Sequence, residues 1–343
     1  MIFIPAGNKW RGATPRRAKP ENKGWSTATA RRNGGIGSCR WDRGLDWKPR
    51  ATVSGSWSCC SDWDTKVWIG DAAQIRASYV RKQKNDKRDA AHILRLLLEN
   101  RFPRLWTPSA EQRDIRQMLI HRHKLVEMRT RVKNGLQHLA MNRGMQKKRQ
   151  LWSAEGQHAF GELAMPGWAG CRRQDLLEML GYLDKKIMPL DRAAEELSRR
   201  DKMAQLLRTQ PGVGPITSLA FAVTIGDAAR FQRGKQVASY VGLIARERSS
   251  GGKQRLGKIS KQGNRFLRQL LVEAAQSAVR RDESLRRPYW QRCHRKAKGV
   301  AKVAAARKLA VRLYWMLRTN TGYPEIVRIE SSPRVPRVVR HGG

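Results

Sequence analysis

Two long segments with apolar residues at helical spacing limit the folds that this chain can adopt. The first spans residues 108–141 and has an apolar residue at every seventh position, namely Met118, Leu125, Val132 and Leu139. The second spans residues 173–197 and alternates spacings of four and three between Leu176, Leu180, Leu183, Ile187 and Leu190. Both patterns are typical of helices that pack along a seam. We therefore predict an antiparallel helix pair, which Ser109 and Gln112 open with a capping box and in which Pro189 kinks or ends the second helix.

The charge balance indicates a polyanionic partner. The chain has 343 residues, with 70 Lys and Arg against 28 Asp and Glu, a formal charge of +42. Such an excess repels itself unless a polyanion neutralises it, and nucleic acid is the usual one. An acidic membrane surface is the alternative, but no apolar run approaches the roughly 20 residues of a membrane-spanning helix. Because the N-terminus also lacks the features of a signal peptide, we expect a cytoplasmic protein without a membrane partner.

Residues 1–65 differ from the rest of the chain. They contain six of the twelve Trp residues, with few aliphatic residues beside them and neither strand nor helix periodicity. We expect this segment to be anomalous and disordered. Regular patterns begin with "KVWIGD" at residue 66, which predicts a short buried strand ending at Asp71, and "KRDAAHILRLLLEN" predicts a helix. The Pro- and Arg-rich residues 319–343 predict a loose basic tail.

Asp86 and Asp89 lie three residues apart within a cluster of cations. On a helix they project from one face, which suits two ligands of one divalent ion. The alternative is a surface helix on which both carboxylates form ion pairs with nearby Lys and Arg. Two carboxylates alone do not distinguish these interpretations.

Two Gly-rich stretches indicate contacts with phosphate. "PGVGP" at residues 211–215 resembles the hairpin of a helix-hairpin-helix element, in which glycines such as Gly212 and Gly214 let backbone N–H groups approach a phosphate. The alternative is an ordinary turn before an apolar helix. In "RERSSGGKQRLGKISKQGNR", a serine hydroxyl can reach a phosphodiester, but from these residues alone a phosphate-binding or RNA-binding loop without a covalent role is the favoured interpretation. On either interpretation the backbone contacts come from Lys253, Arg255, Lys258, Lys261 and Arg265.

Taken together and in order, these segments resemble the DEDD transposases of the insertion sequence 110 group, and most closely its 1111 branch. The resemblance runs from about residue 66 to residue 317. It rests on "VWIGDAAQIRAS", "KNDKRDA", "RFPRLWTPS", "PGVGPITSLAF", "GKQVASYVGL", "SSGGKQRLGKISKQGN" and "ARKLAVRLYWML".

The resemblance implies an α/β plus all-α architecture. An incomplete RuvC-like domain with the ribonuclease H fold would occupy residues 66–108, and a coiled-coil helical arm residues 109–200. A small, mainly helical C-terminal transposase domain would occupy residues 205–318. It would contain both the hairpin and the serine loop.

The resemblance also implies an enzyme that cuts and rejoins DNA with divalent metal, Mg²⁺, and a serine nucleophile. In the family, a structured RNA from the element bridges the DNA partners, and protomers of a homo-oligomer share active sites. Of the four metal-binding carboxylates, the last two fall on Asp86 and Asp89. The nucleophile falls on Ser250, which directly precedes a glycine, with Ser249 as the alternative.

The chain departs from this family before residue 66. The family pattern has an apolar strand ending in the first Asp, and a Glu-Ala-(Thr/Ser)-Gly stretch shortly before "VWIGD". The segment "ATVSGSWSCCSDWDTK" stands there instead and contains no Glu. The composition is that of a GC-rich gene read out of frame. We therefore expect a missing first strand, an unpaired neighbouring strand edge and an inactive copy. The alternatives are a non-catalytic nucleic-acid-binding protein and a junction-resolving nuclease of RuvC-like fold.

Overall fold

The computed structural model describes residues 2–5, 65–78, 86–145, 150–247, 249 and 255–331. The chain divides into two compact units, Met1–Thr107 and Pro108–Gly343. Within the described residues the structure is mostly helical, and each of its two sheets has only two strands. No described helix combines the length and the apolarity needed to cross a membrane.

The first unit contains a two-stranded antiparallel sheet. Strand β1 (Ile2–Pro5) pairs with β2 (Thr65–Trp68), with Ile2 opposite Trp68. Strand β2 therefore has a partner strand, and the expectation of disorder is wrong for Ile2–Pro5, a short β-prone sequence. The rest of the anomalous segment, residues 6–64, lies outside the described residues. A strand at "KVWIGD" is confirmed, but it ends at Trp68 rather than Asp71, and residues 68–71 are half-buried rather than buried. Gly70 forms an isolated bridge with Arg104.

The described residues of the first unit also form two helices. Helix α1 (Ala72–Ala77) is short, and helix α2 (Asp86–Leu98) confirms the helix predicted for "KRDAAHILRLLLEN". The hydroxyl of Ser78, at the end of α1, lies 2.9 Å from Nε2 of His92 on α2. This contact fixes one face of α2 against the end of α1.

The second unit opens with two 33-residue helices, α3 (Ala110–Asn142) and α5 (Trp168–Arg200). The predicted capping box is confirmed, since the Ser109 hydroxyl accepts from the Gln112 N–H and the Gln112 side chain accepts from the Ser109 N–H. Helix α5 continues past Pro189, so the option that the proline ends the helix is wrong.

The two long helices pack antiparallel along a shared seam. Arg122 forms an ion pair with Asp191 at 2.6 Å, and Arg129 forms one with Asp184 at 2.9 Å. Moving seven residues forward on α3 thus means moving seven back on α5. The end of the helix pair that contains Leu139 and Leu183 has its own core, called the outer core. The 3₁₀ turn Gln150–Trp152 and helix α4 (Ala154–Glu162) also contribute to it. Its buried apolar residues are Val132, Leu136, Leu139, Ala140, Leu151, Phe160, Leu183 and Ile187.

The remaining helices build the larger core. They are α6 (Lys202–Arg208), α7 (Pro215–Ile225), α8 (Gly234–Val241), α9 (Arg265–Arg281), α10 (Glu283–Arg295), α11 (Lys298–Thr319) and α12 (Tyr323–Ser331), with a 3₁₀ turn at Ala228–Arg230. Helix α7 is buried from Thr217 to Ile225 and forms the centre of this core. Helix α3 reaches it through Leu119, which is fully buried, and through His123, whose ring lies 5.0 Å from that of Phe266 at the start of α9.

An antiparallel hairpin lies between α8 and α9. Its strands are β3 (Ala245–Glu247) and β4 (Leu256–Ile259), with Ala245 opposite Ile259 and Glu247 opposite Leu256. The loop between these strands carries the Ser-Ser-Gly-Gly sequence. The expectation of a loose tail over residues 319–343 is wrong for Tyr323–Ser331, which form helix α12. The residues beyond Ser331 lie outside the described part of the chain.

Candidate functional site

Asp86 and Asp89 both lie at the start of α2. The helix begins at Asp86, whose side chain lies outside the described part of the chain. The Asp89 side chain is half-buried. No ion pair among the described residues includes Asp89. The side chains of Lys82 and Lys87, two of the nearby cations, lie outside the described residues. A carboxylate in the first helical turn also stabilises the helix by interacting with its dipole.

The described residues do not complete a metal site. Among them, no group of three or more His, Cys, Asp or Glu side chains is placed to hold an ion. Asp71 is the carboxylate nearest in sequence before Asp86, and it caps α1. Its Oδ1 accepts from the N–H of Ala73 at 2.9 Å and its Oδ2 from the amide of Gln74 at 3.2 Å. A carboxylate so engaged serves the helix end rather than a metal.

The two hairpin glycines have different surroundings. Gly212 has φ +89°, and a Cβ there would lie 2.4 Å from the backbone nitrogen of Ala278 on α9. Gly214 precedes α7 as its N-cap and is exposed, and a Cβ there would meet no described atom within 4 Å beyond its chain neighbours. Packing against α9 therefore requires glycine at position 212. Gly214 has free space around it, so a phosphate can approach the backbone there without moving α9.

These surroundings predict opposite outcomes for two matched substitutions. Gly212→Ala should lower the free energy of unfolding by at least about 1–3 kcal/mol, because the methyl group overlaps α9 and Ala disfavours positive φ. Gly214→Ala should cost less than about 1 kcal/mol, since alanine is only a poorer N-cap than glycine. Urea unfolding of both variants measures the difference. Equal stabilities would show that α9 shifts to make room at Gly212.

A buried polar network lies next to the Gly-rich turn at residues 211–215. Gln210, Asp282 and Arg312 are at most 1% exposed. The Gln210 amide donates to Asp282 Oδ2 at 3.2 Å and to the carbonyl of Pro211 at 3.3 Å. Arg312 donates to Asp282 and, at 2.7 Å, to the Ser284 hydroxyl. The network joins Gln210, which directly precedes this turn, to α10 and α11.

The ionised state of Asp282 is favoured in this network. Burial raises the pKa of Asp282, but the hydrogen bond from Ser284, the charge of Arg312 and the amide of Gln210 outweigh burial and hold the pKa below its usual range. Sequence reasoning missed the network. Its one local signal was an arginine inside the apolar run "KLAVRLYWML".

The serine loop is described only in part. Ser250 and Lys253 lie outside the described residues. Ser249 is exposed; its hydroxyl donates to Glu247 Oε1 at 2.6 Å and accepts from the N–H of Arg255 at 3.3 Å. These two hydrogen bonds hold Ser249 close to the strand ends.

The predicted basic contacts surround the hairpin. Arg255, Lys258, Lys261 and Arg265 are all exposed. Lys258 and Lys261 line a groove of about 860 Å³ between the hairpin and helices α10 and α11. Lys261 and Arg265 line a second cavity of about 670 Å³ along α9. Lys258, Lys261 and Arg265 therefore border two adjoining cavities, which share Ile259 and Lys261.

Comparison with known proteins assigns the family. Residues 204–291 match a family model described as "Transposase IS116/IS110/IS902 family", and residues 64–141 match the DEDD transposase model of the IS110 type. A probable family 20 transposase of Pseudomonas aeruginosa is 33% identical over 261 residues, which are 74% of this chain and 77% of that protein. The chain belongs to the IS116/IS110/IS902 transposase family.

Other relatives within this transposase family agree. The transposase for insertion sequence element IS1111A of Coxiella burnetii is 30% identical over 256 residues, which are 71% of this chain and 68% of that protein. A pilin gene-inverting protein of Moraxella bovis is 40% identical over 74 residues, 22% of each chain. The family consists of enzymes that cleave and transfer DNA strands. The predicted membership and enzyme class are thereby confirmed.

The two matched regions contain the candidate residues of this transposase. The first includes Asp86 and Asp89, and it begins at residue 64, close to the change in composition. The second includes the hairpin glycines, the serine loop and the basic contacts.

Proposed function

We propose that the chain is an insertion-sequence transposase that binds DNA and attacks it through Ser250. The observation that carries this proposal is that Ser249 and Arg255, the described residues of the β3–β4 loop, are exposed. The loop lies inside a transposase-family match, and the exposed cations Lys258 and Lys261 follow it in the chain. Cations close to a serine hydroxyl favour a phosphodiester as its substrate. Because the resemblance extends over most of the chain, we also propose a RuvC-like fold for the N-terminal unit, a helical arm at residues 109–200, a structured RNA partner and a homo-oligomer.

The choice of Ser250 over Ser249 rests on the Gly-Gly pair that directly follows Ser250 in the sequence. Ser249 makes two hydrogen bonds that tie it to Glu247 and Arg255, whereas Ser250 directly precedes Gly251 and Gly252. In the proposed step the serine hydroxyl gives up its proton to a base and its oxygen bonds to phosphorus. The phosphorus–oxygen bond to deoxyribose breaks, and the displaced oxygen takes up a proton. A serine hydroxyl needs a base or a metal to become nucleophilic.

We further propose that Asp86 and Asp89 are half of a Mg²⁺ site. Two carboxylates one helical turn apart hold Mg²⁺ loosely, so the ion keeps most of its waters. The family pattern supplies two further carboxylates before residue 66, but the five carboxylates of this sequence in that segment match neither of the two family motifs. The chain as written should therefore bind nucleic acid but cut it poorly.

The serine assignment is tested in a repaired chain, in which a family N-terminal segment bearing the Asp and the Glu replaces residues 1–65. Ser250→Ala should abolish the covalent protein–DNA adduct of the repaired chain and change DNA affinity less than about twofold, because it removes one hydroxyl and no charge. Denaturing gels with labelled DNA detect the adduct.

The matched control is Ser249→Ala, which should leave the adduct. An adduct lost in Ser249→Ala but kept in Ser250→Ala would move the nucleophile by one residue. Cleavage without an adduct in any variant would instead favour a junction-resolving nuclease.

A further inference from the structure

A groove runs between the β3–β4 hairpin and the helices α10 and α11. Its volume of about 860 Å³ is within the range of about 300–1,000 Å³ typical of ligand sites. One wall comes from β4, which leads directly out of the serine loop. The opposite wall comes from the end of α10 and the first half of α11.

The charges around this groove are of one sign. Six cations line it, and no carboxylate does so among the described residues; the cations are Lys258, Lys261, Arg292, Lys296, Arg307 and Lys308. Arg292 and Lys296 lie at the end of α10, where cations also stabilise the helix dipole. Arg307 and Lys308 lie in the middle of α11, so the dipole does not explain them. Such a one-sided lining attracts a polyanion.

The groove also offers apolar surface. Its apolar lining includes Leu243, Leu256, Val300, Val303, Ala304 and Val311. Leu256 is 62% exposed and Val300 is 49% exposed. Exposure of such apolar side chains to water is unfavourable in free energy. Phosphates alone would leave this surface uncovered. Bases and sugars can cover it, but in a duplex the faces of the bases are already stacked on one another.

We propose that the groove binds an unpaired DNA strand and leads it to the Ser249–Ser250 loop. Phosphates contact the six cations, while bases and deoxyriboses lie on the apolar surface. The combination of a basic track and an apolar platform is typical of sites that bind single strands. This inference rests on the proposed function, because it places the strand beside the proposed nucleophile.

The test measures binding of the full chain to a labelled 20-nucleotide DNA strand, to its duplex and to the same sequence in RNA, by fluorescence anisotropy over a range of salt. Lys296→Gln with Arg307→Gln should lower the slope of log affinity against log salt by about 1.4 for the single strand, since each neutralised phosphate contributes about 0.7. The control removes two exposed cations of α5, Arg172→Gln with Lys185→Gln, and should leave the slope unchanged.

Val300→Ser separates the apolar contact from the charges. It should weaken single-strand binding about threefold to tenfold, in keeping with the loss of about 1 kcal/mol of apolar contact, without changing the salt slope or duplex affinity. Thermal unfolding checks that each variant is folded. Equal losses for duplex and single strand, losses with RNA alone, or an unchanged slope in the double variant would each overturn the inference.

Failure of the groove proposal can be distinguished from failure of the proposed serine chemistry. If the repaired chain forms no serine adduct while the groove variants lose single-strand affinity, the proposed chemistry fails and the groove stands. If the adduct forms through Ser250 but the groove variants bind as the unmodified chain does, the groove fails and the chemistry stands.

Discussion

The repaired chain should cleave DNA in the presence of Mg²⁺ at least about a hundredfold faster than the unmodified chain. The physical reason is placement: a shift of about 1 Å in a catalytic group can cost about a hundredfold in rate. An ion held only by Asp86 and Asp89 is placed by two ligands on one helical turn. Cleavage of a labelled substrate with Mg²⁺, and with EDTA as the blank, measures the gain.

Two controls restrict the interpretation. Asp89→Asn in the repaired chain should abolish the gain, since it removes one of the proposed ligands and keeps the size of the side chain. The repaired chain should still bind DNA, because the described basic side chains of the hairpin lie beyond the replaced segment. Efficient transposition by the unmodified, sequence-verified chain would contradict the proposal that this copy is impaired.

Arg312→Met should lower the free energy of unfolding by about 3–5 kcal/mol, because it leaves the carboxylate of Asp282 buried without its charged partner. The double variant Asp282→Asn with Arg312→Met should regain much of that loss. Asparagine carries no charge and can still accept from the N–H of Ser284 at the start of α10. Urea unfolding of the two variants measures the difference. A double variant as unstable as Arg312→Met would show that the shape of the network matters more than its charge.

The same pair predicts an acid dependence of stability. The pKa of Asp282 is lowered in the folded chain, relative to about 3.9 in an unfolded one. Its contribution to stability is therefore complete above about pH 4 and is lost as the pH falls through the lowered value. The double variant should lose less stability than the unmodified chain over that acid range.

The sequence predicted what depends on neighbouring residues. The capping box at Ser109 and Gln112 and the helix that starts at Asp86 follow from spacings of three and four residues, which act within one helical turn. Strand β1 was missed because its pairing with β2 joins segments about 60 residues apart, and four residues give little periodicity to detect. Local patterns do not show which distant segment a strand will meet.

The candidate site was predictable to a similar extent. The loop cations Lys258 and Lys261 were found, because they lie in one short Gly-rich stretch. Arg307 and Lys308 on the other wall of the groove were missed, since within "ARKLAVRLYWML" they look like the solvated face of an ordinary helix. Likewise, Gly212 and Gly214 look equivalent in the sequence, and only the position of α9 separates them.

The contact between His123 and Phe266 connects helix α3 to the start of α9, and from there α3 extends to the outer core. Phe266 directly follows Arg265, one of the proposed phosphate contacts, and from His123 the helix α3 continues 16 residues to Leu139 in the outer core. At about 1.5 Å per residue this span is roughly 24 Å, which equals about seven base pairs of duplex at roughly 3.4 Å each. The ion pairs of Arg122 and Arg129 with α5 prevent the two helices from sliding past each other along this span. A protein or nucleic acid that contacts the outer core is therefore held at a fixed distance from the basic residues near Phe266. That distance corresponds to more than half a helical turn of DNA.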